Sequence, residues 1–323
     1  MRNRKPSYLN DPWKLEGKRA YVSPDVDDGH LEQVAAFADT MHDGSLETTI
    51  TPVTGLPDQD YPGGRIEANI LFRYVPREHG YCAGLGAFGK KYFIAKVRQV
   101  EAQWHKLEVL RAEGDGSSLR FDRAYRLRVS FVGSRITLVP PDMRPFAVDD
   151  TTYTSGQWGL RTFKTKAKFQ QLVASTAPRC FVAMPFDPTL NETHKAIERA
   201  VNRCGLTCVR GDQMRTPSSV IEDIKAEISR ADLVIVDFTG QNANVYYEAG
   251  FADALQKPRI SLAQRKADLS FNVQHLRTIM YSVAEYERLS RTLREMIKAT
   301  RETHPVRNPE RHPSRRPGSG RSR

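Results

Sequence analysis

The feature that most constrains the fold is an apolar run, Leu233–Val236, which ends at Asp237 and is followed by a short polar loop. A strand this uniformly apolar is typical of a parallel sheet that is covered on both faces. Short apolar segments alternate with helical patterns in the same way over residues 178–300. This alternation predicts an α/β domain built on a parallel sheet.

Residues 19–150 have a different, β-rich character. Segments rich in Val, Ile, Tyr and Phe are separated by Gly, Pro and Asp, which predicts short strands. The predicted strands are Ala68–Val75, Lys91–Val100, Lys106–Arg111, Tyr125–Phe131 and Arg135–Val139. Apolar residues near helical spacing favour one helix at His30–Met41, so we expect an α+β domain. No motif identifies its role; an adaptor or regulatory domain with a charged outer face is favoured over a nucleic-acid-binding one.

Three further segments complete the predicted organisation. Residues 1–18 are expected to form an irregular arm. Residues 151–177 are expected to be a connector that contains a helix near Leu160–Val173. Residues 301–323 are expected to be a disordered basic tail, because they contain no apolar cluster that could offset the entropy cost of ordering.

Composition limits the classes of protein that the chain can belong to. The net charge is +11, and residues 305–323 contribute six arginines against one glutamate, or +5 of that total. Weak nucleic-acid binding through this tail is therefore one expectation. The absence of a long apolar run or a signal-like N-terminus predicts a cytoplasmic protein without a membrane contact. The four cysteines lack zinc spacing, so we expect structural thiols, no metal and no resident cofactor.

Polar residues follow three of the predicted strands of the α/β domain. Because the carboxyl ends of parallel strands line the ligand crevice of such domains, these loops are expected to converge. Asn244 is the expected N-cap of the helix that carries Glu248. Two acids, Asp237 and Glu248, are the catalytic candidates. The candidate binding residues are Met184, Pro185, Phe186, Asp212, Gly240, Asn242, Asn244 and Tyr247.

Several ordered motifs resemble one family. The segments are Phe181–Phe186, Ala231–Gly240, Asn244–Leu255, Lys257-Pro258 and Phe271–Tyr281. Together they resemble the nucleoside 2-deoxyribosyltransferase-like group, which shares a flavodoxin-like three-layer fold with bacterial TIR-like domains. Two departures stand out: the usual Asn-Pro-Asn loop reads Asn242-Ala243-Asn244 here, and residues 268–272 read Asp-Leu-Ser-Phe-Asn.

The resemblance implies cleavage or transfer of an N-glycosidic bond. Glu248 matches the family's catalytic glutamate, a nucleophile, and Asp237 matches an acid that contacts the sugar or helps to protonate the leaving base. A nucleoside or nucleotide is the implied ligand, and TIR-like relatives use NAD as substrate. Relatives often complete their sites across subunits, which implies a homo-oligomer, and bacterial defence is a context by analogy.

The residues alone leave other interpretations open. Glu248 can simply complement the helix dipole, and Asp237 can bond the backbone of the following loop. An enzyme is favoured, but a non-catalytic nucleotide-sensing module and a nucleic-acid-associated protein that uses its basic regions remain alternatives.

Overall fold

The computed structural model describes residues 7–9, 12–16, 20–27, 30–57, 59, 63–101, 104–211 and 220–304. The chain divides into two compact units, and the main boundary lies between Arg179 and Cys180. The strands of the first unit are β1 (Ser7–Leu9), β2 (Lys14–Glu16), β3 (Ala20–Val22), β4 (Glu32–Met41), β5 (Gly44–Gly55), β6 (Ala68–Val75), β7 (His79–Ala87), β8 (Lys90–Glu101), β9 (Trp104–Asp115), β10 (Tyr125–Val132), β11 (Arg135–Val139), β12 (Phe146–Asp149), β13 (Gly156–Phe163) and β14 (Thr165–Thr176).

These strands form two antiparallel sheets, each of seven strands within the described ranges. The orders are β1-β4-β13-β6-β7-β8-β9 and β12-β11-β10-β5-β14-β3-β2. Strands such as β10 alternate between buried and exposed residues, as expected where one face packs and the other meets water. The two inner faces share one core, in which the ring of Phe72 stacks on that of Phe131 with centroids 4.8 Å apart. The unit is a β-sandwich.

The outer face of the first sheet is buried as well, around the guanidinium of Arg161. Arg161 donates hydrogen bonds to Glu32, to Glu67 (2.6 Å) and to Asn69 (2.9 Å). The backbone N–H of His105 in β9 donates to Glu32 in β4 over 2.8 Å. These two strands lie five positions apart in the sheet order, so the sheet must curl strongly to bring them together. Removing Arg161 would take the guanidinium from Glu32 and leave Glu67 with that of Arg65 alone. Breaking a buried ion pair in this way typically costs about 3–5 kcal/mol.

The second unit, with Val201–Cys208 that cluster with the first unit, contains a parallel sheet and four α-helices in its described part. Its strands are β15 (Arg179–Ala183), β16 (Thr207–Arg210), β17 (Leu233–Asp237), β18 (Arg259–Ala263) and β19 (Thr278–Met280), and its helices are α1 (Asn191–Arg203), α2 (Val220–Arg230), α3 (Ala243–Ala254) and α4 (Tyr286–Thr303). The strand order β16-β15-β17-β18-β19 is that of a flavodoxin-like sheet. The prediction of an α/β C-terminal domain after a β-rich region is thereby confirmed. No helix in the described ranges is long and apolar enough to cross a membrane.

The helix predicted at His30–Met41 is wrong, because this segment is the strand β4. Both of its faces are buried over Val34–Phe37. Ala35 and Phe37 belong to the core between the sheets, whereas Val34 and Ala36 belong to a second cluster on the outer face. A strand that is buried on both faces loses its two-residue alternation, so its apolar run imitates a helical stripe.

The helix predicted at Leu160–Val173 is also wrong. Residues 156–163 and 165–176 are the long strands β13 and β14, so most of the expected connector belongs to the two sheets. Lys164 between them has a φ of 50°, the left-handed conformation of a tight turn. Thr165, Ala167 and Phe169 are all buried and alternate with less buried residues, which is the pattern that indicates a strand.

The two ends of the chain differ from expectation where the structure describes them. Parts of the expected arm form β1 and β2, which pair with β4 and β3. The indole of Trp13 is buried and packs on Phe169 with ring centroids 5.5 Å apart. The helix α4 continues to Thr303, and the rest of the expected tail, residues 305–323, lies outside the described residues.

Candidate active site

The candidate site lies where β15 and β17 end. These strands are adjacent and parallel, and the chain order of the sheet reverses between them. In open α/β sheets such a switch point is where ligands bind, because the loops on either side diverge and leave a crevice. Here one loop begins with Met184-Pro185-Phe186 and the other runs from Phe238 to the start of α3.

A cavity of about 490 Å³ occupies this position. Its wall is largely apolar, and Glu248 is the acid among its lining residues. The lining residues are Met184, Pro185, Phe186, Ile221, Ile224, Asn242, Asn244, Val245, Tyr247 and Glu248. The structure thus brings together most of the residues that the sequence proposed for the site.

Glu248 lies in the second turn of α3 and is only 6% exposed. No described residue donates a hydrogen bond to its carboxylate or forms an ion pair with it. Because burial penalises the charged form, the pKa of Glu248 rises from 4.5 to about 7. The group is therefore close to half ionised at neutral pH and poorly solvated when it is charged.

Asp237 occupies a different environment. It is fully buried and accepts hydrogen bonds from the backbone N–H (3.1 Å) and hydroxyl (2.6 Å) of Thr239 and from the hydroxyl of Tyr281 (2.6 Å). Burial raises its pKa, and these hydrogen bonds oppose the rise. Asp237 is not among the lining residues of the cavity. Its hydrogen bonds with Thr239 fix the start of the loop after β17.

A second, more polar cavity of about 930 Å³ adjoins the first and shares Pro185, Phe186 and Asn242 with it. Thr239, Gly240 and Gln264 form part of its wall. Gln264 donates from its side-chain amide to the Tyr281 hydroxyl over 3.2 Å. The carboxylate of Asp237 is thus linked to this cavity through its hydrogen-bonding partners.

The capping residue of α3 is Asn242, so the expectation of an Asn244 cap is wrong. The side-chain oxygen of Asn242 accepts from the backbone N–H groups of Asn244 (3.0 Å) and Val245 (3.4 Å). The helix begins one residue after the cap, at Ala243. Asn244 itself is exposed and lines the first cavity.

Gly240 and Asp212 are two further residues that the sequence predicted for the site. Gly240 lines the second cavity with a φ of 74°, and nothing lies within 4 Å of the position that a Cβ would take. Its conformation, rather than lack of space, therefore favours glycine here. Asp212 lies outside the described residues.

The sequence missed residues that reach the two cavities from other elements. The helical spacing of Ile221 and Ile224 predicts that they belong to the apolar face of α2, yet Ile221 is 56% exposed and both line the first cavity. Gln264 and Tyr281 follow directly after β18 and β19. Their position at the carboxyl ends of the neighbouring strands could have identified them as site residues, because these ends line the ligand crevice.

Two cations lie beside aromatic rings of the first cavity. The Nζ atom of Lys225 is 5.9 Å from the ring centroid of Tyr247 and 5.8 Å from that of Phe251. The guanidinium carbon of Arg210 is 5.9 Å from the ring centroid of Phe186. The Phe186 and Tyr247 side chains are each about half exposed.

The described residues contain no group of three or more His, Cys, Asp or Glu side chains placed to hold a metal ion. None of the four cysteines, all of which the structure describes, is in a disulfide bond, and Cys82 and Cys180 are fully buried. Burial raises the pKa of the Cys82 thiol far above its ordinary value, which disfavours a nucleophilic role.

Comparisons with known proteins give weak structural similarities. No protein-family model matches the chain, and no curated protein matches it. Similar solved structures include a carbohydrate-binding module from Bacillus subtilis, 17% identical over 53% of this chain and 94% of that chain, with a TM-score of 0.40. A 2-deoxyribosyltransferase from Leishmania mexicana is 17% identical over 27% of this chain and 65% of that chain, with a TM-score of 0.25.

A CMP N-glycosidase from Clostridium botulinum is 19% identical over 36% of this chain and 97% of that chain, with a TM-score of 0.28. Similarities at this level do not assign an activity to either unit. Function depends on the residues of a site rather than on the fold that carries them.

Proposed function

We propose that the α/β domain binds a nucleoside or nucleotide and cleaves or transfers its N-glycosidic bond, with Glu248 as the nucleophile. The observation that carries the proposal is the carboxylate of Glu248, which is buried and unpartnered among the described residues and faces a cavity at the switch point of the sheet. The sequence resemblance to the nucleoside 2-deoxyribosyltransferase-like group supports the same residue in the same role.

The chemistry follows from the poor solvation of this carboxylate. An N-glycosidic bond breaks through an oxocarbenium-like transition state, whose positive charge a nearby carboxylate stabilises. Glu248 would form a bond to the anomeric carbon while the bond to the base nitrogen breaks, and the departing base would take a proton from water. Water would then release the sugar in a hydrolase, and a second base would accept it in a transferase.

The aromatic residues of the cavity fit a heterocyclic ligand. Phe186 and Tyr247 line the cavity and are each about half exposed, which leaves ring surface free for stacking on a planar base. Asp237 then has an indirect role: its hydrogen bonds to Thr239 and Tyr281 hold the loop that leads into α3. NAD as substrate and a role in bacterial defence rest on the sequence resemblance alone.

Release of free base tests the proposal. The protein is incubated with NAD and with a panel of nucleosides, deoxynucleosides and their monophosphates, and the released base is followed by chromatography. Glu248→Gln should abolish release while ligand binding remains. Glu192→Gln is the matched control, because Glu192 is an exposed glutamate on α1 that lines neither cavity.

The dependence of kcat/KM on pH separates the roles that a carboxyl group can play. A nucleophile must be ionised, so the rate should rise as the pH passes through about 7, the pKa of Glu248. A rate that falls through this range would instead identify Glu248 as a general acid. Unchanged base release by Glu248→Gln would contradict the proposal outright.

One observation favours a second candidate, a non-catalytic nucleotide-sensing module. Asp237, the other catalytic candidate, is hydrogen-bonded to Thr239 and Tyr281 and lines neither cavity. Ligand binding without base release from any substrate, in wild-type protein, would favour this candidate.

A further inference from the structure

The cations beside the first cavity add a feature that a neutral nucleoside would leave unused. Lys225 extends from α2 over the rings of Tyr247 and Phe251 in α3. No described residue forms a hydrogen bond or an ion pair with its ammonium group. The charge therefore lies next to a cavity wall without a described carboxylate to neutralise it.

Arg210 provides a second cation at the carboxyl end of β16. Its guanidinium lies beside Phe186, another lining residue of the same cavity. A guanidinium presents its N–H donors as a planar fork that matches phosphate oxygens, and an ammonium adds a point charge. Such a pair complements a dianionic group better than a neutral one.

When Glu248 is protonated, it does not repel an anionic ligand. Glu248 carries the carboxylate of the cavity, and its burial keeps it partly protonated near neutral pH. The remaining lining side chains in the described part of the chain are uncharged. Among the described residues, the unpaired cation beside this wall is Lys225, whose charge favours an anionic ligand.

We propose that the ligand of this cavity carries a phosphate, held by Lys225 and Arg210, and is a nucleoside monophosphate in preference to a free nucleoside. This inference rests on the proposed function for the identity of the base and sugar. The recognition of phosphate rests separately on the two cations and their aromatic neighbours.

Binding to the full-length Glu248→Gln protein tests the inference, because that variant is expected to bind without turnover. Isothermal titration calorimetry would compare the common ribonucleosides and 2′-deoxynucleosides with their 5′-monophosphates. A charge-assisted contact predicts about tenfold to hundredfold tighter binding of the monophosphate. Adding Lys225→Gln or Arg210→Gln should remove most of that difference and leave nucleoside affinity nearly unchanged. Lys298→Gln, which alters an exposed lysine on α4, is the control.

Each result separates this inference from the proposed function. Equal affinity for a nucleoside and its monophosphate, or equal weakening of both by Lys225→Gln, would overturn the phosphate site while leaving glycosidic chemistry intact. Preferential monophosphate binding by a protein that releases no base would support the phosphate site and contradict the enzymatic proposal. Binding of neither ligand would overturn both.

Discussion

At the scale of the residue, burial without a hydrogen-bond partner makes the Glu248 side chain costly to ionise. Its pKa is about 7 in the folded protein, against 4.5 for the ordinary group. Between these two values the unfolded chain has released the proton while the folded protein still holds it. The free energy of unfolding therefore falls as the pH rises from about 4.5 to 7, and then levels off.

This linkage predicts that Glu248→Gln stabilises the protein in a pH-dependent way. The pKa shift corresponds to roughly 3 kcal/mol of unfolding free energy, which the wild type loses as the pH rises. The variant does not lose it, because glutamine has no proton to release in this range. The variant should match wild type at about pH 4.5 and exceed it by up to roughly 3 kcal/mol at about pH 8, as measured by urea unfolding. Glu192→Gln should show no such growth over that range. A variant less stable than wild type at about pH 8 would contradict the burial argument.

At the scale of the element, the sequence predicted best those segments whose residue types or alternation favour a strand. The bounds of β6 and β11 were predicted to the residue, and β10 was missed by one. Burial of both faces of β4 removed the alternation of its apolar residues and made the strand resemble a helix. β6 is also buried on both faces and was still predicted, because Ile70, Phe72 and Tyr74 favour a strand more than the alanines of β4 do.

The first turn of α3 provides a prediction at this scale, because that helix carries Glu248. Asn242 accepts from two backbone N–H groups that the helix leaves unpaired, whereas no described residue bonds to the side chain of Asn244. We expect Asn242→Ala to lower the free energy of unfolding by about 1 kcal/mol and Asn244→Ala to change it by less than about 0.5 kcal/mol. Urea unfolding of both variants measures the difference. A larger loss in Asn244→Ala would contradict the capping assignment.

At the scale of the whole molecule, the candidate site joins nearby and distant parts of the chain. Its best-predicted part follows two strands directly in sequence, from Met184 to Phe186 and from Asp237 to Glu248. Ile221, Ile224 and Gln264 reach the two cavities from elements whose own patterns indicated only packing or a strand end. Their contribution depends on the order of strands in the sheet, which no local pattern specifies.

The distribution of charge along the chain indicates which segment would bind nucleic acid. Two partly exposed lysines on the second sheet of the sandwich bond acids: Lys168 bonds Glu16 and Lys166 bonds Asp25, at 2.7 and 2.6 Å. Residues 305–323 carry a net charge of +5, from six arginines and one glutamate. We therefore expect any salt-sensitive binding of nucleic acid to depend mainly on that segment.

Truncation after His304 tests this expectation. Loss of five net positive charges should weaken binding to duplex DNA and flatten its dependence on salt, because fewer counterions are released. Base release and the free energy of unfolding should stay unchanged, since every lining residue that the structure describes lies before His304. Fluorescence anisotropy over a range of salt concentrations measures the binding. If the truncated protein keeps the full salt dependence, the cations of the folded units carry the interaction, and the nucleic-acid-associated alternative gains over a small-molecule function.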